Sequence, residues 1–152
     1  MAPLFALLLF TGLDQGPITA AEAPNAMDFR LVVDAPEEKV LVDALQVQTN
    51  GDGSRNADLY VTVAGEPATY AYVRSRFDCQ ARTFAVREAA YYDRNLRFLG
   101  QTPATYAEGI QSGTVGEDLL AFVCGTSADR QQKPYYGSTV REALGRADPR
   151  FR

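Results

Sequence analysis

Hydrophobic and polar positions alternate in short runs through the middle of the chain, and the period changes near Thr114. Asp28 to Asp34 places Phe29, Leu31 and Val33 on one side and predicts a first strand, which Ala35-Pro36-Glu37-Glu38 breaks. Val40 to Gln48 predicts a second strand, apolar on both faces at first, with Gln46 and Gln48 sharing one face later. Asn50-Gly51-Asp52-Gly53 is a turn signal, because glycine tolerates positive φ. Asp58 to Val63 then sets Leu59, Val61 and Val63 against Asp58, Tyr60 and Thr62, as a half-buried strand does.

The longest alternation runs from Ala68 to Cys79. Ala71, Val73, Ser75, Phe77 and Cys79 form one side, expected to face inward. Tyr70, Tyr72, Arg74, Arg76 and Asp78 form the other, expected to face solvent. Arg82 to Tyr92 returns as the partner strand, with Phe84, Val86, Ala90 and Tyr92 in phase. Glu88 falls in the same phase, which predicts a bulge or an edge of the core there. After the turn at Asp93-Arg94-Asn95, Leu96 to Leu99 predicts one more short strand. Strands in series with short turns predict an antiparallel meander.

From Thr114 the apolar period becomes helical: Val115, Leu119, Leu120, Phe122 and Val123 make a stripe that ends at Cys124-Gly125. Thr114 and Glu117 have the spacing of a capping box, and Gly125 suits the position after the helix. So short a helix needs a surface to pack on. Cys79 and Cys124 are the two cysteines of the chain, one at a strand end and one at a helix end. Without C-x-x-C spacing and with apolar neighbours, they are expected to form a structural disulfide rather than a redox pair. The predicted class is therefore α+β: a small antiparallel sheet meander packed against one C-terminal α-helix and clamped by that disulfide. Residues 126–152 are polar, with a second capping-box pattern at Thr139 to Glu142. They are expected to be a loosely docked tail.

Met1 to Ala23 carries a short apolar run, Leu4 to Phe10, followed by small residues ending in Ala21-Glu22-Ala23. The run is too short to cross a bilayer and has the form of a secretory signal peptide. No Lys or Arg precedes Arg30, so the expectation is either a true start upstream of Met1 or, as the alternative to a signal peptide, a buried N-terminal helix. The expected division is a signal peptide at 1–23, a domain at 27–125 and the tail at 126–152. Export to an oxidising compartment agrees with a disulfide.

Composition narrows the chemistry. A net charge of −4 over 152 residues gives no basic excess for nucleic acid. The chain has no histidine, so the usual serine or cysteine triads and the commonest metal ligand are absent from it. Asp43, Asp52 and Asp58 around the glycine turn lack the full spacing of a calcium loop. No cofactor, metal site or catalytic pair is expected. What remains is a concentration of cations on one hairpin of an acidic protein: Arg74, Arg76, Arg82, Arg87, Arg94 and Arg97, with Tyr70 and Tyr72. Tyrosine and arginine are enriched at protein contact sites, so these eight residues are the candidate partner-binding face. The alternative is a solvated sheet face with cross-strand ion pairs.

The order of features, Phe77-Asp78-Cys79, then Tyr91-Tyr92-Asp93, then Ser112 to Cys124, resembles the surface-adhesin protein E family of Gram-negative bacteria. The resemblance covers about residues 27–124. It implies a small antiparallel sheet, one C-terminal helix and a disulfide between them. It also implies an exported, periplasmic or outer-surface, non-enzymatic protein that binds a macromolecular protein partner and can form a homodimer. It transfers a region, Tyr70 to Arg97, rather than individual residues. A periplasmic inhibitor of an enzyme such as lysozyme is the alternative within binding proteins.

Overall fold

In the computed structural model, residues 26–152 are described; the expected signal peptide lies outside them. Nine strands form one antiparallel sheet: β1 (Phe29–Asp34), β2 (Lys39–Asp43), β3 (Gln48–Thr49), β4 (Arg55–Thr62), β5 (Tyr70–Asp78), β6 (Thr83–Tyr92), β7 (Phe98–Thr102), β8 (Glu108–Gly109) and β9 (Tyr135–Gly137). The main order is β7-β6-β5-β4-β2-β1-β9, with β3 on β4 and β8 on β6. The helices are α1 (Val115–Cys124), α2 (Ser127–Gln131) and α3 (Val140–Ala147). The expected α+β class with a clamped helix is what the chain forms.

The clamp joins the turn after β5 to the last residue of α1, with 5.7 Å between the Cα atoms of Cys79 and Cys124. It holds α1 on one face of the sheet. There Leu119, Leu120, Phe122 and Val123 pack on Val32, Val33, Val40, Val42, Leu59 and Phe77, with Val73 and Phe84 at the margin. Two arginines finish the helix. Arg55 Nη1 donates to the carbonyls of Val123 and Gly125, both at 2.7 Å, and Arg130 Nη1 donates to Gly125 at 2.8 Å. Cations at this end satisfy unpaired carbonyls and oppose the helix dipole. The Thr114–Glu117 capping box does not form. Thr114 Oγ1 donates to Gln111 O, and the Glu117 carboxylate accepts from Gly113 N.

The opposite face is the main departure from expectation. Tyr60, Tyr70, Tyr72 and Tyr92 are buried there with Phe29, Leu31, Leu41 and Ala90, beneath Val140, Ala143, Leu144 and Phe151. The rings contact across strands: Tyr70 stacks on Tyr92 at 4.8 Å, and Phe29 meets Tyr60 edge-on at 5.0 Å. Residues 126–152 are thus not a loose tail. They contribute α2, pair β9 with β1, and lay α3 over the tyrosine face. Arg30 Nη1 donates to the carbonyls of Gln131 and Lys133, and Arg150 Nη2 donates to Val63 O at 2.7 Å, tying this segment down at both ends. Thr139 does cap its helix, accepting from Glu142 N.

Two smaller differences follow from local geometry. The second strand ends at Asp43, where the chain turns into a 3-10 segment, Ala44–Gln46, capped by the Asp43 carboxylate. On the β5–β6 pair, Arg74 faces Glu88 but Ser75 faces Val86, so Arg87 is an extra residue. This bulge switches faces: Phe84 lies with the α1 core, whereas Ala90 and Tyr92 lie with the α3 core. Phe84, Ala90 and Tyr92, which share a phase in the sequence, therefore serve two different cores.

Candidate functional site

The α3 helix covers only part of the tyrosine face. Beyond Tyr72 and Tyr60, the same face continues as an open cleft of about 480 Å³, lined by Gln46, Gln48, Asn50, Asn56, Asp58, Arg74, Ser75, Arg76 and Arg87. Its floor is set by strand register. Asn56 lies opposite Arg76 and Asp58 opposite Arg74 on β4–β5, and Arg74 lies opposite Glu88 on β5–β6. Gln48 lies opposite Asn56 on β3–β4 and builds one wall. The bulge brings Arg87 to the other wall, on the side of Glu88. A bulge commonly re-aims a side chain in this way.

The charges on the floor are arranged in a row. Arg74 sits between Asp58 and Glu88, and its guanidinium is 3.6 Å from the Glu88 carboxylate. The Tyr72 hydroxyl is hydrogen-bonded to Asp58. Burial raises the Asp58 carboxyl above its ordinary value, opposed by the Tyr72 hydrogen bond and by Arg74. Burial likewise pushes the Tyr72 phenol up, so it stays a proton donor at any ordinary pH. Arg74 is raised above its ordinary value by its neighbours Tyr72, Asp58 and Glu88, and is a permanent cation. Arg76 pairs with Asp52 of the glycine turn, and Asp52 also accepts from Ser54 N and Oγ. The glycine turn is thus a hairpin corner, with Asn50 N donating to Ser54 O and Gly53 at φ +82°.

The eight candidate residues separate into three groups. Arg74, Arg76 and Arg87 share the cleft. Tyr70 and Tyr72 are 0% and 5% exposed and belong to the core, so they are not surface contacts. Arg82, Arg94 and Arg97 lie outside the cleft, each in its own ion pair. Arg82 reaches Glu117 at 3.2 Å and so bridges the hairpin to α1. Arg94 reaches Glu66 at 2.5 Å, and Arg97 reaches Asp93 at 3.0 Å. The amide wall and Asp58 were not among the candidates. Gln46 and Gln48 both reach the cleft although Gln46 lies in the 3-10 segment and not on a strand, so strand alternation did not mark them as a site. Among the described residues no group of acidic or cysteine side chains is placed to hold a metal ion.

On the other side of the sheet, next to α1, Val61, Val73, Phe84, Val86, Val115 and Leu119 line an apolar hollow of about 270 Å³. The loop between β7 and β8 carries Tyr106 at 94% exposure. That loop is fixed one residue earlier, where Thr105 N donates to Val86 O and Thr105 Oγ1 accepts from Val86 N. No helix among the described residues is long and apolar enough to cross a membrane. No family model matches the chain, and no curated protein or solved structure matches it.

Proposed function

We propose that the chain is an exported, non-enzymatic binding protein, similar in kind to the surface-adhesin protein E family, that holds a protein partner against the open half of its sheet. The observation that carries this reading is the division of one sheet face. Part is covered by α3, and another part is an open cleft with Arg74 and Arg76 on its strand-built floor and Arg87 on its wall. Arginines presented by strands hold their positions better than arginines on loops, and arginine is prominent among contact hot spots. The disulfide and the apolar run at Leu4 to Phe10 support export.

The test is retention of periplasmic and extracellular proteins on immobilised protein, comparing wild type with Arg87→Glu and, as a control, Arg141→Glu on α3. A protein retained by wild type and by the control, but lost from Arg87→Glu, is the expected result. Equal retention by all three overturns the reading. Tyr106 favours a second reading, an inhibitor that inserts a braced loop into an enzyme cleft. Under that reading lysozyme activity falls on addition of the protein and recovers with Tyr106→Ala; unaffected lysozyme removes this choice of target.

A further inference from the structure

The cleft has three cations, but two are already committed. Arg76 is paired with Asp52, and Arg74 is held between Asp58 and Glu88. Among the described residues Arg87 has no ion-pair partner. It is also the residue that the bulge inserts, and it stands exposed at the cleft wall. Opposite it are four neutral amides, Gln46, Gln48, Asn50 and Asn56, of which Asn50 and Asn56 bond to each other. Among the described residues the Gln46 and Gln48 side chains have no hydrogen-bond partner, which leaves their donors and acceptors for a ligand. The cleft thus offers one unpaired positive charge across from a wall of uncharged amides. A polyanion would meet Asp58 in the cleft, with Glu88 and Asp52 beside its arginines, and be repelled by them. One carboxylate flanked by uncharged polar groups meets a matched surface.

We propose that the cleft reads a single acidic side chain of the protein partner: its carboxylate is taken by the Arg87 guanidinium, while the amide wall hydrogen-bonds the neutral chain on either side. This deepens the binding function proposed above and rests on it. Glu88 acts as the internal competitor. Together with Asp58 it offsets the Arg74 charge, leaving Arg87 as the cation open to an anion. Specificity then comes from what the site refuses as much as from what it attracts.

The probe is a capped pentapeptide with one glutamate between serines and glycines, titrated into isotope-labelled protein and followed by the signals of the cleft residues. Matched peptides carry glutamine, or three glutamates, at the centre. The glutamate peptide should bind about five-fold tighter than the glutamine peptide, as expected for one charge-assisted contact partly open to water. The three-glutamate peptide should gain nothing further. Arg87→Gln should erase the glutamate preference. Glu88→Gln, which removes one of the two carboxylates flanking Arg74, should raise affinity for the three-glutamate peptide, a gain that misfolding cannot mimic. Equal binding of the glutamate and glutamine peptides, no shift of cleft signals with any peptide, or a preference that survives Arg87→Gln overturns the proposal. If a partner is still lost from Arg87→Glu in the retention experiment, the cleft remains the docking face and only the single-carboxylate reading falls.

Discussion

Arg74 on β5 faces Glu88 on β6 with their charged atoms 3.6 Å apart, and on its other side Arg74 faces Asp58 on β4. A cation between two carboxylates is a structural element as well as a surface charge. Arg74→Glu would set three carboxylates side by side across three strands. Like charges in directly paired positions destabilise a sheet. The side chain is half exposed, so the expected loss is about 1–2 kcal/mol rather than the cost of a buried ion. Arg87→Glu, with no ion-pair partner to lose among the described residues, should change stability by less than about 0.5 kcal/mol. Urea denaturation of the two variants checks this, and equal midpoints would show that the row carries no structural load.

The Cys79–Cys124 bond closes a loop with a sequence separation of 45. Removing that constraint from the unfolded chain should cost about 4 kcal/mol on the loop-entropy estimate. It also frees the end of α1, whose apolar stripe then relies on packing and on Arg55 and Arg130 alone. Cys79→Ser with Cys124→Ser should lower the melting temperature by well over about 10 °C. Calorimetry that finds an unchanged midpoint would rule out a stabilising clamp.

Leu144 is fully buried between α3 and the tyrosine face. Leu144→Ala should cost about 2–5 kcal/mol, as for other large cavities in packed cores. A loosely attached C-terminal segment would show almost no effect, so denaturation of this variant decides between the two descriptions. Loss of near-ultraviolet tyrosine signal should accompany unfolding, because four tyrosines depend on that cover.

Much of the fold was legible because strand alternation and helical period are properties of single segments. The hairpin, the helix and its clamp all follow from such patterns. The other face was not legible, and its tyrosines show why. Tyr60, Tyr70 and Tyr72 alternate with valine, leucine and alanine, so beside those residues they look like a polar, outward face. A tyrosine ring nevertheless buries as much apolar surface as a phenylalanine. Whether it is covered depends on a segment about 70 residues away, α3, whose apolar residues are few and whose surroundings are polar. The bulge was signalled by the misplaced Glu88, but its consequence was not. Only three-dimensional register reveals that Phe84 and Tyr92 serve opposite cores and that Arg87 enters the cleft.

Asp43 is wholly buried; its Oδ1 accepts from Asp28 N and Leu45 N, while Oδ2 has no hydrogen-bond partner among the described residues. Burial raises its carboxyl above the ordinary value, with nearby Asp58 and Asp28 adding to the rise. A raised carboxyl favours folding while it is protonated, below its unfolded-state value. That contribution is lost as pH climbs through the folded-state value. The stability of Asp43→Asn relative to wild type should therefore increase from about pH 3 to about pH 7. A relative stability that is flat or falls over that interval would mean the carboxylate is well solvated in the fold.

The cleft, rather than any other cationic part of the surface, is the proposed docking face, and the guanidinium Nε–H resonances of the arginines report on this residue by residue. With the retained partner added to isotope-labelled protein, the Arg87 and Arg74 resonances should shift. Those of Arg55, Arg130 and Arg150, committed to backbone carbonyls, and of Arg94 and Arg97 at the far turn, should stay in place. Shifts confined to Arg94, Arg97 or Arg141, with Arg87 unmoved, would place the partner elsewhere and refute the cleft as its seat.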